Sequence, residues 1–194
     1  MHEEAIILFN SGKFTDALDY LRDKLTTTRY SYDQDQAPEN GGLQAITRNE
    51  IIELARFLYE VDGLDKNMIG EFLGRDKELS QKINHEFFNL FHFQNIVIDM
   101  AFRSIFKKLR LPKESQQIER IIKGFALGYW EDNQVMLTCK LHPNWNLECV
   151  EFLALSILVL NTTHHSDKIP KSLKLSKENF IKTNESYLKE LTNF

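Results

Sequence analysis

Cysteine is almost missing from this chain: Cys139 and Cys149 are the only two. They cannot form a disulfide framework, and a reducing compartment is the simpler setting. Proline and glycine are scarce as well, four and eight against fourteen phenylalanines, so few turns and a large aromatic core are expected. Strong net charge is also lacking. The formal value is −4, which gives whole-protein electrostatics no reason to select nucleic acid or anionic lipid as a partner. No apolar run reaches the roughly twenty residues of a bilayer span. The strongest, Cys149 to Leu160, contains Glu151 and Ser156 and is expected to be a buried helix. The opening residues MHEEAIILFN are acidic where a signal peptide would be basic, so no targeting segment is expected and the chain reads as soluble.

Familiar catalytic signatures are missing too. There is no GxSxG, no HExxH and no dinucleotide fingerprint, and Gly12-Lys13 lacks the upstream glycine of a phosphate-binding loop. Cys139 and His142 have ligand-like spacing, with His164 and His165 further on. Zinc needs four well-placed ligands, however, and adjacent histidines on a helix point in different directions. They are read as surface or core histidines, and the sequons at Asn161 and Asn184 as chance. Strict alternation of apolar and polar residues is absent, which excludes a sheet.

What the chain does have is helical periodicity. Its 194 residues suffice for one domain, and its 42% hydrophobic and 27% charged content is ordinary for a globular protein. Ile51, Leu54, Ala55 and Leu58 follow the spacing of one helix face, with Thr47 and Glu50 as a capping box in front of them. Leu79, Ile83, Phe87 and Phe91 mark a second stripe, and Ile98, Ala101, Phe102, Ile105, Phe106 and Leu109 a third. Ile118, Ile121, Ile122, Phe125, Ala126 and Tyr129 form a fourth. Ala5, Leu8, Phe9, Gly12, Phe14 and Ala17 resemble the first helix pair of a tetratricopeptide repeat, but no copy follows at the period of about 34 residues such arrays need, so an ordinary helical hairpin is expected. Residues 26–46, with Pro38 and Gly41-Gly42, read as a mobile surface loop, and residues 132–146, with Asn133, His142, Pro143 and Asn144, as a second irregular connection. Neither is a domain boundary, and the reading is a single all-α domain over 1–194.

Three segments are unusual together. In Leu109-Arg110-Leu111-Pro112-Lys113-Glu114-Ser115-Gln116-Gln117-Ile118-Glu119-Arg120 a helix ends before Pro112, a carboxylate follows, and a new amphipathic helix begins. On its residues alone, Glu114 is best accounted for as a helix-start carboxylate favoured by the macrodipole. The stretch from Ala154 to His165 is apolar around most of its circumference and then turns polar abruptly, as a buried helix ending at a surface groove, or plain core, would. Gly63 to Gly74 is a short helix flanked by glycines.

In this order the three segments resemble the Sec-seven domain, the catalytic module of Arf guanine-nucleotide exchange factors such as the cytohesins. Its first signature usually reads FRLPGEAQKIDR and its second close to LNTDLHNP; Leu175 to Ile181 resembles the family's MTLEDFI. The resemblance runs from about the first helix to the last. It implies a right-handed superhelix of about ten helices. It also implies a groove for the switch regions of an Arf-family small GTPase, and a "glutamic finger", Glu114, inserted toward the nucleotide. The GTPase-binding positions it implies are Arg110, Leu111, Pro112, Gln116 and Ile118 from the first signature. From the second they are Leu155, Val159, Asn161, Thr162, Thr163, His165 and Ser166.

The domain would bring no cofactor and no metal, since Mg²⁺ and GDP or GTP belong to the partner. It would act as a monomer in the cytoplasm at a membrane surface, reaching the membrane only through the GTPase or other domains. No basic amphipathic helix is evident for recruitment by this chain alone. Departures are local. Lys113 replaces the usual glycine before the finger, and Thr163, His164, Ser166 and Asp167 replace the usual residues of the second signature. A catalytically weak GTPase-binding module is therefore the alternative. Brefeldin A sensitivity in the family goes with a Tyr-Ser pair and an Asp in the second signature. Leu155-Ser156 and Thr163 stand there, so insensitivity is expected.

Overall fold

The computed structural model describes residues 2–30 and 46–193. Among the described residues the regular structure is nine α-helices and one 3-10 turn, with no strand. In chain order they are α1 (Glu3–Asn10), α2 (Phe14–Tyr30), α3 (Arg48–Glu60), α4 (Lys66–Leu73), α5 (Glu78–Asn89), α6 (Ile98–Ile105), α7 (Ser115–Lys140), α8 (Leu147–His165), the 3-10 turn Lys171–Leu173, and α9 (Lys177–Thr192). Cα packing divides the chain into two compact units, Met1–Leu90 with Lys108–Ile121, and Phe91–Lys107 with Ile122–Phe194.

In the first unit, α1 and α2 form the expected hairpin, with Ala5, Phe9, Phe14, Ala17, Leu18 and Leu21 buried. The predicted capping box starts α3: Glu50 N–H donates to the Thr47 hydroxyl at 3.3 Å, and Thr47 N–H donates back to the Glu50 carboxylate at 2.7 Å. The Ile51, Leu54, Ala55 and Leu58 stripe is buried, and α3 packs on α5. Phe9, Phe14 and Phe72 meet with ring centroids 4.9 to 5.7 Å apart, tying α4 to the hairpin. Each fully buried aromatic stabilises by about 1.5–3 kcal/mol, so this cluster is a main anchor of the unit.

In the second unit, Phe102 and Phe93 pack edge-on against Phe125 of α7 at 4.9 and 5.3 Å, and Phe152 of α8 stacks on Tyr187 of α9 at 4.2 Å. The loop before α6 bends through His92 and Asn95, whose φ values of 51° and 60° are unusual for side-chain-bearing residues. Helix α7 holds it. Asn133 is 2% exposed; its amide donates to Phe93 O and Tyr129 O at 3.0 Å, and its carbonyl accepts from Asn95 N–H at 2.9 Å. Asp132 accepts from Phe93 N–H.

These bonds correct one expectation. Residues 132–140 are not an irregular connection but the continuation of α7, because Asn133 spends its polar groups inside the fold. Only residues 141–146 connect α7 to α8. At the other expected loop, α2 extends through 26–30, and residues 31–45 lie outside the described residues. The third stripe is helical only to Ile105; Leu109 is buried from a non-helical stretch. The largest correction concerns α8, expected to be a buried helix. Only Cys149, Val150 and Ala154 of it are buried. By length and composition alone it is also apolar enough to cross a bilayer, yet it carries Glu148 and Glu151 and packs on α6 and α9.

Candidate functional site

The carboxylate singled out in the sequence sits where a loop becomes a helix. Leu109 is buried, Arg110 to Pro112 run without regular structure, and α7 starts at Ser115. Pro112 keeps Leu111 out of the helical region, so the chain turns before the helix restarts. Glu114 O accepts the first backbone bond of α7, from Ile118 N–H at 3.0 Å. The Glu114 backbone is thereby fixed as a cap. Its side chain is exposed and, among the described residues, has no hydrogen-bond or ion-pair partner. Lys113 is exposed beside it and makes no ion pair with it.

This corner is tied down within the first unit. Arg110 N–H donates to Lys66 O at 2.9 Å, joining the loop to the first turn of α4. Lys108 Nζ donates to Tyr59 O at 2.7 Å and lies 4.6 Å from the centre of the Tyr59 ring. In α7, Arg120 donates to Gly74 O at 3.0 Å and pairs with Asp76 at 3.5 Å. Buried Asn84 of α5 donates to Leu73 O and Arg120 O, both at 3.1 Å.

Two glycines let α4 lie this close. A Cβ on Gly70 would fall 1.8 Å from Arg110 O, and one on Gly74 would fall 2.7 Å from Gln117 Cβ. Backbone can approach backbone here only because neither residue has a side chain. The glycine-flanked segment is therefore the seat of the Glu114 corner. The glycines were visible in the sequence. Their purpose was not, and neither were the roles of Asn84 and Arg120, because close approach is a property of the folded chain.

The second set of predicted residues lies on α8 and its exit, in the second unit. Leu155 and Val159, one helical turn apart on the same face, are 37% and 57% exposed. Asn161, Ile157 and Leu158 line a cleft of about 150 Å³ with Asp99, Phe102, Arg103 and Phe106. Thr162 O accepts from Ser166 N–H at 3.1 Å, which closes the helix. The Thr163 hydroxyl donates to Val159 O at 2.8 Å and Leu160 O at 3.1 Å. Thr162 and His165 are exposed. In the first unit Arg110 and Gln116 are exposed, while Leu111, Pro112 and Ile118 are half-buried around the Glu114 corner. The first unit thus offers an unpaired carboxylate on a rigid corner, and the second an apolar face ending in polar side chains.

The family model described as "Sec7 domain" matches residues 2–193. Among curated proteins, the ADP-ribosylation factor guanine nucleotide-exchange factor sec72 of Schizosaccharomyces pombe is 35% identical over 149 residues, covering 74% of this chain and 8% of that protein. Cytohesin-2 of Homo sapiens is 31% identical over 135 residues, 66% of this chain and 32% of that protein. The chain thus spans a minor part of these relatives' length. Among solved structures, the Sec7p catalytic domain superposes with a TM-score of 0.68 at 26% identity, over 98% of this chain and 93% of that one.

Proposed function

The chain belongs to the Sec7 domain family, and from that premise we propose that it promotes GDP release from an Arf-family small GTPase, with Glu114 as the carboxylate presented to the nucleotide. Relatives named as ADP-ribosylation factor exchange factors support the substrate class. The observation that carries the residue assignment is that Glu114 is exposed and, among the described residues, unpaired on a corner fixed by α4 and α7. A structural cap needs no such isolation, whereas a carboxylate acting on a partner must keep its charge available.

The action is electrostatic. Bound nucleotide is held by Mg²⁺ and by a lysine of the GTPase's phosphate loop. A carboxylate entering that site opposes the β-phosphate, disfavours the metal and offers the lysine another partner. Two like charges about 4 Å apart at an effective dielectric near 20 repel by about 4 kcal/mol, which multiplies dissociation by about a thousand. No proton transfer or covalent step is involved. The metal and nucleotide are the partner's, and this domain contributes no cofactor. Leu155 and Val159 supply apolar contact for the partner's switch regions, and the reaction takes place at the cytoplasmic face of a membrane.

The test is nucleotide release from several Arf-family GTPases with wild-type protein and Glu114→Lys. The variant should lose acceleration while keeping its helicity, because an exposed cap side chain contributes little to the core. Near-normal release by the folded variant would sink the mechanism. A second reading, binding without acceleration, is favoured by Thr163, whose hydroxyl is engaged on its own helix. It predicts capture of nucleotide-free GTPase with no gain in release rate by the wild type.

A further inference from the structure

The stretch from the exit of α8 into the first turns of α9 takes no part in the proposed exchange reaction, yet it is the most basic part of the second unit. From Asp167 to Lys182 it holds Lys168, Lys171, Lys174, Lys177 and Lys182 against Asp167 and Glu178, a net charge of +3 in a chain of −4. Lys174 is occupied: its Nζ donates to His164 O at 2.6 Å and ties the segment back to the end of α8. Lys168, Lys171, Lys177 and Lys182 are exposed and have no ion-pair partner among the described residues.

Apolar side chains in water lie among these cations. Leu173 is 74% exposed, Leu175 38% and Ile181 50%. Leu173 ends the 3-10 turn, which is closed by its N–H to Pro170 O at 2.9 Å and by Lys174 N–H to Lys171 O at 3.3 Å. With Lys168 N–H on the Ser166 hydroxyl at 3.3 Å, the segment is a preformed projection rather than a free strand of chain.

We propose that this projection docks the domain directly on an anionic membrane surface, with Leu173 and Leu175 entering the headgroup region and the four free lysines facing lipid phosphates. Charge complementarity and residue type select that occupant. Every basic group from Asp167 to Lys182 is lysine, a mobile point charge suited to a diffuse anionic layer. Tight recognition of a phosphopeptide calls for the bidentate arginine fork. Single-stranded nucleic acid calls for stacking aromatics, and the segment's sole aromatic, Phe180, is half-buried. Exposed leucines flanked by lysines gain from an interface that is apolar beneath and charged above. The sequence showed no basic amphipathic helix because the lysines are carried by a turn and a helix start.

The experiment is sedimentation of the full 194-residue chain with vesicles of phosphatidylcholine alone and with phosphatidylserine added, at low and high salt. The chain should sediment with the anionic vesicles only, and release in salt. Each lysine near such a surface is worth about five-fold in partitioning. Lys171→Glu with Lys177→Glu should therefore weaken binding by about 25-fold or more. Leu173→Asp should weaken it by more than Leu173→Ala, with helicity unchanged in all variants. Competition by soluble phosphoserine would show recognition of a headgroup in solution and overturn docking on a surface. Equal binding to neutral vesicles, no binding to anionic ones, or indifference to these substitutions would overturn the proposal. So would capture by an acidic peptide or RNA alone. No GTPase is present in the assay, so its outcome is independent of the exchange reading.

Discussion

Gly70→Ala is the sharpest probe of how the Glu114 corner is held. The added Cβ would fall 1.8 Å from Arg110 O and 3.0 Å from Arg110 C. Both are backbone atoms, so no flexible side chain can swing away. Ordinary contact starts at about 3.4 Å, so α4 and the loop must part by about 1.6 Å. The Arg110 N–H bond to Lys66 O at 2.9 Å cannot survive that. Overpacking costs about 1–3 kcal/mol and the lost hydrogen bond about 1 kcal/mol. Alanine's better helix propensity returns about 1 kcal/mol. The net is a destabilisation of about 1–3 kcal/mol, readable as a lower urea midpoint with unchanged slope. The effect on exchange should be larger, because Glu114 lies four residues beyond the displaced carbonyl and a misplacement of about 1 Å can cost about 100-fold. Gly12→Ala serves as control. Gly12 has φ of +79° but open space around it, so that variant should lose some stability and keep the wild-type release rate. A Gly70→Ala protein with wild-type stability and release rate would show that α4 does not seat the corner.

Three further outcomes are expected. Val159→Asp places a charge on the exposed face of α8 and should weaken capture of nucleotide-free GTPase by about 10-fold or more without unfolding the helix; unchanged affinity in a folded variant would move the interface elsewhere. Exchange should proceed in the presence of brefeldin A, because Leu155 lacks a phenolic hydroxyl and Thr163 a carboxylate, and sites built around such groups discriminate strongly when they are missing; strong inhibition at low drug concentration would refute this. At Glu50, burial opposes the charge, but hydrogen bonds from the Thr47 backbone and hydroxyl and from Arg22 outweigh it and hold the carboxyl below its ordinary value of 4.5. A depressed carboxylate contributes stability that is fully present above the unfolded value and is lost as pH falls through the folded one. Glu50→Ala should therefore cost about 1 kcal/mol near neutrality, lowering the melting temperature by about 2–4 °C. The difference from wild type should shrink as the pH falls below the ordinary value of 4.5 and through the lowered folded one; a constant difference across thermal scans from neutral to acid would contradict the assignment.

The sequence revealed helices best where local chemistry and burial agreed. Thr47, Glu50 and the Ile51 to Leu58 stripe carry start signal and core face together, and both stand in the structure. Asn133 misled because a polar residue reads as loop unless its partners are known, and those partners, Phe93 and Asn95, lie far away in sequence. Glu114 could be picked out only through its neighbours' resemblance to a signature. Its isolation from other charges depends on where Lys113, Arg110 and Arg120 end up. The apolar run from Cys149 to Leu160 misled in the opposite sense, since most of it is not buried. Apolar composition states that a surface gains by being covered, not that the cover belongs to the same chain.

The exposed apolar face of α8 has a calorimetric consequence. The water ordered around Leu155, Val159 and their neighbours on α8 contributes heat capacity to the free protein. A partner that displaces it must bind with a negative heat-capacity change, its enthalpy growing more favourable on warming. A contact made by charges alone would lack that slope. Under the proposed use of α8, part of the hydration change that folding usually completes is deferred to complex formation, and titration at several temperatures reads how much.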